Sequence, residues 1–207
     1  MTSTLPLSRD RILEVAVQLA DRDGLDATSL RKIATELGVH VTSLYNHVAT
    51  KDALLDGLGE VLMTHADVPV GDVEWEDWVR RFVAGMSALA AEHPGAFAVF
   101  MRRPVQGPGA LATFEAALEA FCREGLEPAQ AYAAIKAVTM AVLGCCVEAA
   151  EPVTDDLPRT DVSRLPSKDF PVLHQVVDVV EDVDLVATLT EVLVGGLAAL
   201  LPARKKR

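Results

Sequence analysis

Hydrophobic residues recur at helical spacing along almost the whole chain, and strand-like alternation of apolar and polar positions is nearly absent. The first helix predicted in this way carries four apolar residues on one stripe and ends at a glycine: Ile12, Ala16, Leu19, Ala20 and Gly24. Later segments repeat this arrangement between proline or glycine residues. The sequence therefore predicts an all-α protein.

Proline, glycine and hydroxyl side chains set the predicted helix boundaries. Thr28 is the predicted N-cap of the second helix, which Gly38 closes, and Lys51 opens the fourth helix. Several later helices begin at prolines, which cost nothing in a first turn. The predicted helices are 9–23, 29–37, 39–48, 51–66, 75–92, 94–101, 108–124, 128–150, 172–180 and 184–201.

A change in composition near residue 51 divides the chain into two parts. Residues 1–51 contain six Lys or Arg and six Asp or Glu, whereas the whole chain has a net charge of −11. All the excess negative charge therefore lies beyond residue 51. We expect one domain at 1–51 and a second at 52–207, with a mobile loop at 151–171, where four prolines interrupt the helical periodicity.

Several protein classes are disfavoured by composition. The N-terminal segment MTSTLPLSRD has no apolar run, and the most apolar stretch, 185–201, contains Glu191 and is short for a membrane span, so we expect a cytoplasmic protein that does not enter a membrane. Three cysteines without CxxC spacing are expected as small core residues. The sequence has no recognisable metal-ligand cluster, nucleophile elbow or phosphate-binding glycine loop, so we expect no enzyme, metal or cofactor.

Residues 38–48, GVHVTSLYNHV, place small polar side chains on a short helix. Gly38 permits a tight turn after the second helix, and Val39, Leu44 and Val48 are predicted to be buried. Two helices joined by so short a turn form a helix-turn-helix, whose second helix can enter the major groove of DNA. The side chains predicted to face solvent, where hydroxyl, amide and imidazole groups can bond to bases and phosphates, are Val41, Thr42, Ser43, Tyr45, Asn46 and His47.

Spacing alone leaves a second interpretation open for this segment. The same pattern suits a capped surface helix in an all-helical ligand-binding or protein-interaction module that does not bind DNA. Binding to random duplex DNA at low salt separates the two interpretations, because only the first requires phosphate contacts.

The stretch TSLRKIATELGVHVTSLYNHVATKDALLDGL resembles the DNA-binding domain of the tetracycline-repressor (TetR) family. The likeness continues through Trp75 and its helix, the pair Arg103 and Pro104, and the run AVTMAVLGCCVE at 137–148, which places the chain near the tetracycline repressors themselves. The resemblance implies a ligand-responsive regulator, in most cases a repressor, that is released from a palindromic operator by a small molecule. It also implies a homodimer, for which the helices at 129–150 and 184–201 are the candidate interface.

The resemblance gives individual residues roles in DNA binding. Arg31, on the second helix, would read a guanine or hold a phosphate. In this set only its guanidinium has the geometry to donate two hydrogen bonds to one guanine. On the reading helix, which is the second helix of the helix-turn-helix, Val41, Thr42 and Ser43 would face bases. Tyr45, His47 and Lys51 would contact the DNA backbone. The complete set is Arg31, Val41, Thr42, Ser43, Tyr45, Asn46, His47 and Lys51.

The second domain resembles an effector-binding domain with altered pocket residues. In tetracycline-binding relatives, a histidine before the Arg-Pro pair ligates magnesium and an asparagine bonds to the drug; here Val99 and Phe82 take those places, so we expect no metal–tetracycline complex. Large soft side chains indicate an apolar or aromatic small molecule, although each of them is alternatively an ordinary core residue. The expected effector-binding residues are Phe82, Met86, Phe100, Phe114, Met140 and Glu148, with Phe97 and Met101 as further candidates.

Overall fold

The computed structural model describes residues 6–104, 107–150, 165–177 and 183–202. These ranges contain helices and no strands, so the all-α prediction is confirmed. In chain order the helices are α1 Arg9–Asp23, α2 Leu30–Leu37, α3 Val41–Tyr45, α4 Lys51–His65, α5 Trp75–Glu92, α6 Pro94–Phe97, α7 Val99–Arg102, α8 Pro108–Arg123, α9 Pro128–Ala150, α10 Pro171–Val177 and α11 Leu185–Leu200.

Hydroxyl caps start three of the first four helices. The side chains of Ser8, Ser29 and Thr50 accept hydrogen bonds from backbone N–H groups three residues later, which satisfies donors that the helix leaves unpaired. The prediction that Thr28 caps α2 is wrong by one residue. Thr28 is buried instead, and its hydroxyl donates to the carbonyl oxygen of Gly24 at 3.1 Å.

The third helix is shorter than predicted. It covers Val41–Tyr45, whereas the pattern predicted 39–48. At its start His40 provides no side-chain cap, and at its end the N–H groups of His47 and Val48 both donate to the carbonyl of Leu44, which closes the helix in a turn. Asn46 and His47 therefore lie in the turn after the reading helix rather than on it.

The predicted helix at 94–101 is two short helices that meet at Ala98. The chain changes direction there because α6 packs against α1 while α7 packs against α4. Near the C-terminus, α10 is described from Pro171 to Val177, and the predicted residues 178–180 lie outside the described residues. The same holds for 151–164 of the predicted loop.

The core of the second half is built on α5, which packs against α8, α9 and α11. Trp78, in the first turn of α5, is buried and stacks on Phe82 with ring centroids 4.7 Å apart. The indole Nε1–H of Trp78 donates to the carbonyl of Thr113 on α8 at 3.1 Å, so the buried polar edge of the ring has a partner.

Helix α9 is apolar on most of its faces. Its segment Pro128–Cys146 is long and apolar enough to cross a membrane by length and composition. The helix nevertheless packs against α5, α8 and α11, and Ala131, Ile135, Val138 and Val142 are fully buried in the protein core. The buried face of α9 therefore belongs to the protein core, while Tyr132 and Met140 are 52% and 56% exposed.

The N-terminal helices contact the rest of the chain through α1, which packs on α4 and α6. Asp21 of α1 accepts hydrogen bonds from the ring Nδ1 of His93 at 2.8 Å and from the backbone N–H of Ala96 at 2.9 Å. Gly95 lies so close to α1 that an added Cβ would overlap the carbonyl of Ala20 and come within 2.7 Å of the Cα of Asp21. Glycine is thus required for this contact between the two halves.

We expect Gly95→Ala to lower the free energy of unfolding by roughly 1–3 kcal/mol, because backbone must move to admit the methyl group. Gly109→Ala is the control: its Cβ would meet nothing within 4 Å, and alanine is the better helix former. Urea denaturation of both variants measures the difference. Equal stability of the two variants would contradict the close contact at Gly95.

Candidate nucleic-acid interface and ligand cavity

A glycine in the left-handed conformation forms the turn between α2 and the reading helix α3. Gly38 has φ 66° and ψ 32°, a conformation that side chains with a Cβ rarely adopt. The N–H of the next residue, Val39, donates to the carbonyl of Ala34 and so closes α2. The buried side chains of Ile33 and Leu44 then hold the two helices together.

The predicted DNA-binding side chains all reach solvent, though to different extents. Val41 and Ser43 are half-buried, and Val41 packs partly against the core. Tyr45 is 51% exposed. The remaining members of the set are exposed: Arg31, Thr42, Asn46, His47 and Lys51. Val39, predicted to be buried, is half-buried.

Several basic side chains of this region already have carboxylate partners. Their N···O distances are 2.8 Å for Arg9–Glu60, 3.0 Å for Arg22–Asp23, 3.4 Å for Arg22–Glu36 and 3.2 Å for Lys32–Asp23. By contrast, Arg31 and Lys51 form no salt bridge with any residue that the structure describes. The charge of Arg31 is therefore available to an external anion such as a phosphate group, whereas the charge of Lys51 also acts on Asp26.

A cavity of about 460 Å³ lies among α5, α7, α8 and α9. Five of the six predicted effector residues line it: Phe82, Met86, Phe100, Phe114 and Met140. The side chain of the sixth, Glu148, lies outside the described residues. Met101 also lines the cavity, whereas Phe97 does not; it is buried and packs edge-on against Phe100 with centroids 5.1 Å apart.

The cavity has further lining residues that sequence reasoning missed. Trp78 lies four residues before Phe82 on α5, and Tyr132 and Lys136 lie at four-residue intervals before Met140 on α9. This spacing places each group on one helix face, so the signal was present in the sequence. Met63, near the end of α4, also contributes to the wall, so the cavity touches the helix that begins at Lys51.

Val99, which the resemblance aligns with a magnesium-ligating histidine, is buried and faces α4 rather than the large cavity. It lines a separate cavity of about 290 Å³ with Leu55, Asp56 and Gly59 of α4. The large cavity has no histidine or carboxylate in its described lining. Nor do the described ranges contain a group of three or more His, Cys, Asp or Glu that could hold a metal ion.

Arg103 and Pro104 line both cavities, and Arg103 joins them to α4. Its Nε donates to Asp56 and its Nη1 donates to Asp52, both at 2.7 Å. Asp52 directly follows Lys51. A side chain that lines the cavity is therefore hydrogen-bonded to the start of the helix that carries a predicted DNA contact.

The last helix exposes apolar side chains. In a single chain, four residues of α11 are between 37% and 65% exposed: Leu185, Val186, Val192 and Leu200. Gly195 and Gly196, on the same helix, have open space around them. An apolar surface of this kind is typical of a protein–protein contact.

The three cysteines are free, and Cys146 is buried beside Ser87. Burial raises the pKa of the Cys146 thiol, which keeps it protonated and unreactive at neutral pH. Cys122 and Cys145 are half-buried. The prediction of core cysteines fits Cys146 best.

Two bacterial transcriptional regulators are similar to this chain in sequence. An HTH-type transcriptional regulator of Saccharopolyspora erythraea is 39% identical over 139 residues, which are 67% of this chain and 59% of the relative. The HTH-type transcriptional repressor DrrR1 of Streptomyces coeruleorubidus is 34% identical over 140 residues, 67% of this chain and 52% of the relative. The chain thus spans little more than half the length of these relatives in the matched region.

Solved structures share the fold. The TetR family protein ActR of Streptomyces coelicolor, in complex with (S)-DNPA, superimposes with a TM-score of 0.78 at 26% identity, covering 96% of this chain and all of ActR. Residues 12–58 match the family described as bacterial regulatory proteins, tetR family, and residues 69–198, more than half of the chain, match the tetracyclin repressor-like C-terminal domain. The resemblance carried by the helix-turn-helix residues is confirmed, and the chain belongs to the TetR family.

Proposed function

We propose that the protein is a cytoplasmic, homodimeric transcriptional repressor that binds a palindromic operator and releases it when an apolar or aromatic small molecule enters the 460 Å³ cavity. The observation that carries the proposal is Arg103, which lines the cavity and donates to Asp52 and Asp56 at the start of α4. The names of the relatives, a regulator and a repressor, support the same function, and ActR holds a small molecule. The proposal includes no catalytic step.

The proposed DNA-binding domain, residues 1–51, contains Arg31 and Lys51 as cations that form no salt bridge with the described residues. Arg31 would bond to a guanine edge, and Lys51 to a phosphate. The half-buried Val41 and the exposed Thr42 offer methyl groups to thymine in the major groove. Selection of bound duplexes from a random pool would identify the operator.

Arg31→Ala should weaken binding to the selected operator by roughly 1–3 kcal/mol and relax preference at one base position in each half-site. Lys51→Ala should weaken binding to all duplexes alike and lower the salt slope by about one for each protomer. Arg22→Ala is the control, because Arg22 already binds Asp23 and Glu36. If Arg31→Ala and Lys51→Ala bind like the control, α2 and α3 are not the reading elements.

The proposed dimer uses α11 together with α9, since one short reading helix contacts too few base pairs to specify an operator. The exposed apolar residues of α11 support this choice. Gly196 has no atom within 4 Å of an added Cβ in the single chain, so a larger side chain there disturbs no intramolecular contact. A partner helix packed against it would leave no such room.

Gly196→Arg should therefore yield folded monomers, because the arginine blocks the approach of the second α11 and adds a charge to an apolar interface. Gly109→Arg, at an open position on α8, is the matched control and should remain dimeric. Sedimentation velocity at micromolar concentration measures both, with circular dichroism as the check on folding. A wild-type monomer, or a dimeric Gly196→Arg protein, would contradict the proposed interface.

The proposed signal runs from the cavity to the reading helices through α4. A ligand against Met63 or Arg103 displaces α4, and the two reading helices then lose the separation of roughly 34–36 Å, one duplex turn, that the operator requires. The ligand releases DNA only to the extent that it binds the displaced state more tightly than the DNA-bound state. This coupling free energy is typically about 1–3 kcal/mol. By reciprocity, operator DNA weakens the ligand by the same factor.

A compound that releases the operator from the wild-type protein should lose this effect in Phe100→Asp, while operator binding stays nearly unchanged. The half-buried Phe100 lines the cavity, and an apolar ligand that covers a carboxylate there must remove it from water without giving it a hydrogen-bond partner. Val70→Asp is the control, because Val70 is 59% exposed and does not line the cavity. Titrations against labelled operator should give the same result with and without a magnesium chelator, and a response that needs magnesium would contradict the proposed binding mode.

A further inference from the structure

Cationic side chains line the ligand cavity of a strongly acidic chain. Its described lining contains three cations, Arg102, Arg103 and Lys136, and no carboxylate. Most of the other lining residues are aromatic, aliphatic or methionine. The charge that these cations offer to a ligand depends on the carboxylates paired with them, which lie outside the lining.

The two arginines have carboxylate partners beside the cavity. Arg102 binds Asp26, and its guanidinium holds the pKa of that carboxyl below the ordinary value. Arg103 binds Asp52 and Asp56 of α4. Both charges are therefore compensated within the protein.

Lys136 differs from the two arginines. It is half-buried on α9, one turn from Tyr132 on one side and from Met140 on the other. Its ammonium forms no hydrogen bond or salt bridge with another residue in the part of the chain that the structure describes. An anionic group in the cavity would give this unpaired ammonium a charge-assisted partner.

We propose that the effector is an aromatic organic anion whose rings lie among Phe82, Phe100 and Phe114 and whose carboxylate, sulfonate or phenolate group pairs with Lys136. This inference rests on the proposed function and narrows its effector from apolar or aromatic molecules in general to acidic ones. A volume of about 460 Å³ lies in the range of sites for drug-sized ligands, so one polycyclic acid fits the dimensions.

The test compares two fluorescent probes that share one ring system. The anion is 8-anilinonaphthalene-1-sulfonate, and its neutral counterpart is N-phenyl-1-naphthylamine, which lacks the sulfonate. The Phe100→Asn variant establishes where they bind: a neutral polar group in the cavity wall should weaken both probes. The neutral probe should also displace the anionic one from the wild-type protein.

Lys136→Gln should weaken the sulfonate probe about tenfold and leave the neutral probe unchanged, because only the anion loses a charge-assisted contact. Lys136→Arg should retain the affinity for the anion, and Lys136→Glu should abolish it. Lys168→Gln, an exposed lysine that does not line the cavity, is the matched control. Thermal melting checks that each variant is folded.

The outcomes separate this inference from the proposed function. Suppose that both probes bind in the cavity and Lys136→Gln changes neither affinity or weakens both equally. The proposal of an anionic effector is then wrong, whereas the proposal that this cavity binds the effector is retained. Tighter binding of the sulfonate probe by Lys136→Gln would also overturn the inference. If both probes still bind to Phe100→Asn with unchanged affinity, they bind at another site. This result would contradict both the proposed effector cavity and the proposed anionic effector.

Discussion

The hydrogen bonds from Arg103 to Asp52 and Asp56 are the contact on which the proposed coupling of the two halves depends. They tie a residue of the cavity wall to the first turns of α4. That helix is a single rigid element of 15 residues, about 22 Å long, which begins at Lys51 and touches the cavity through Met63. In the proposed mechanism, a displacement at one end of α4 therefore moves its other end.

The strength of this contact suits a switch better than a fixed scaffold. Arg103 and its carboxylates are partly exposed, and ion pairs in such surroundings contribute only about 0–1 kcal/mol each. The hydrophobic contacts of α4 are much stronger, because Leu54, Leu58 and Leu62 are buried in the core. The buried leucines keep α4 folded and attached to the core. In the proposed mechanism, the weaker polar contacts allow its position to respond to a ligand with a coupling free energy of about 1–3 kcal/mol.

Sequence patterns predicted the helices better than they predicted helix ends and the cavity. Apolar periodicity and local caps depend on residues close together in the chain, so α1, α5 and α9 lie where expected. The division at Ala98 follows from packing against both α1 and α4, which no local pattern encodes. The aromatic residues of the cavity were predicted through a family resemblance, whereas Lys136 was missed, because a lysine on a helix is ordinarily a solvated residue.

Under the proposed function, the distribution of charge also accounts for the selection of one DNA sequence by an acidic protein. Carboxylates of the same chain already compensate Arg9, Arg22 and Lys32, so these side chains add little attraction for phosphate in general. Arg31 and Lys51 remain available at the reading surface. Under the proposed function, the net charge of −11 opposes non-specific association with DNA, so the affinity depends on the few contacts that the correct operator makes.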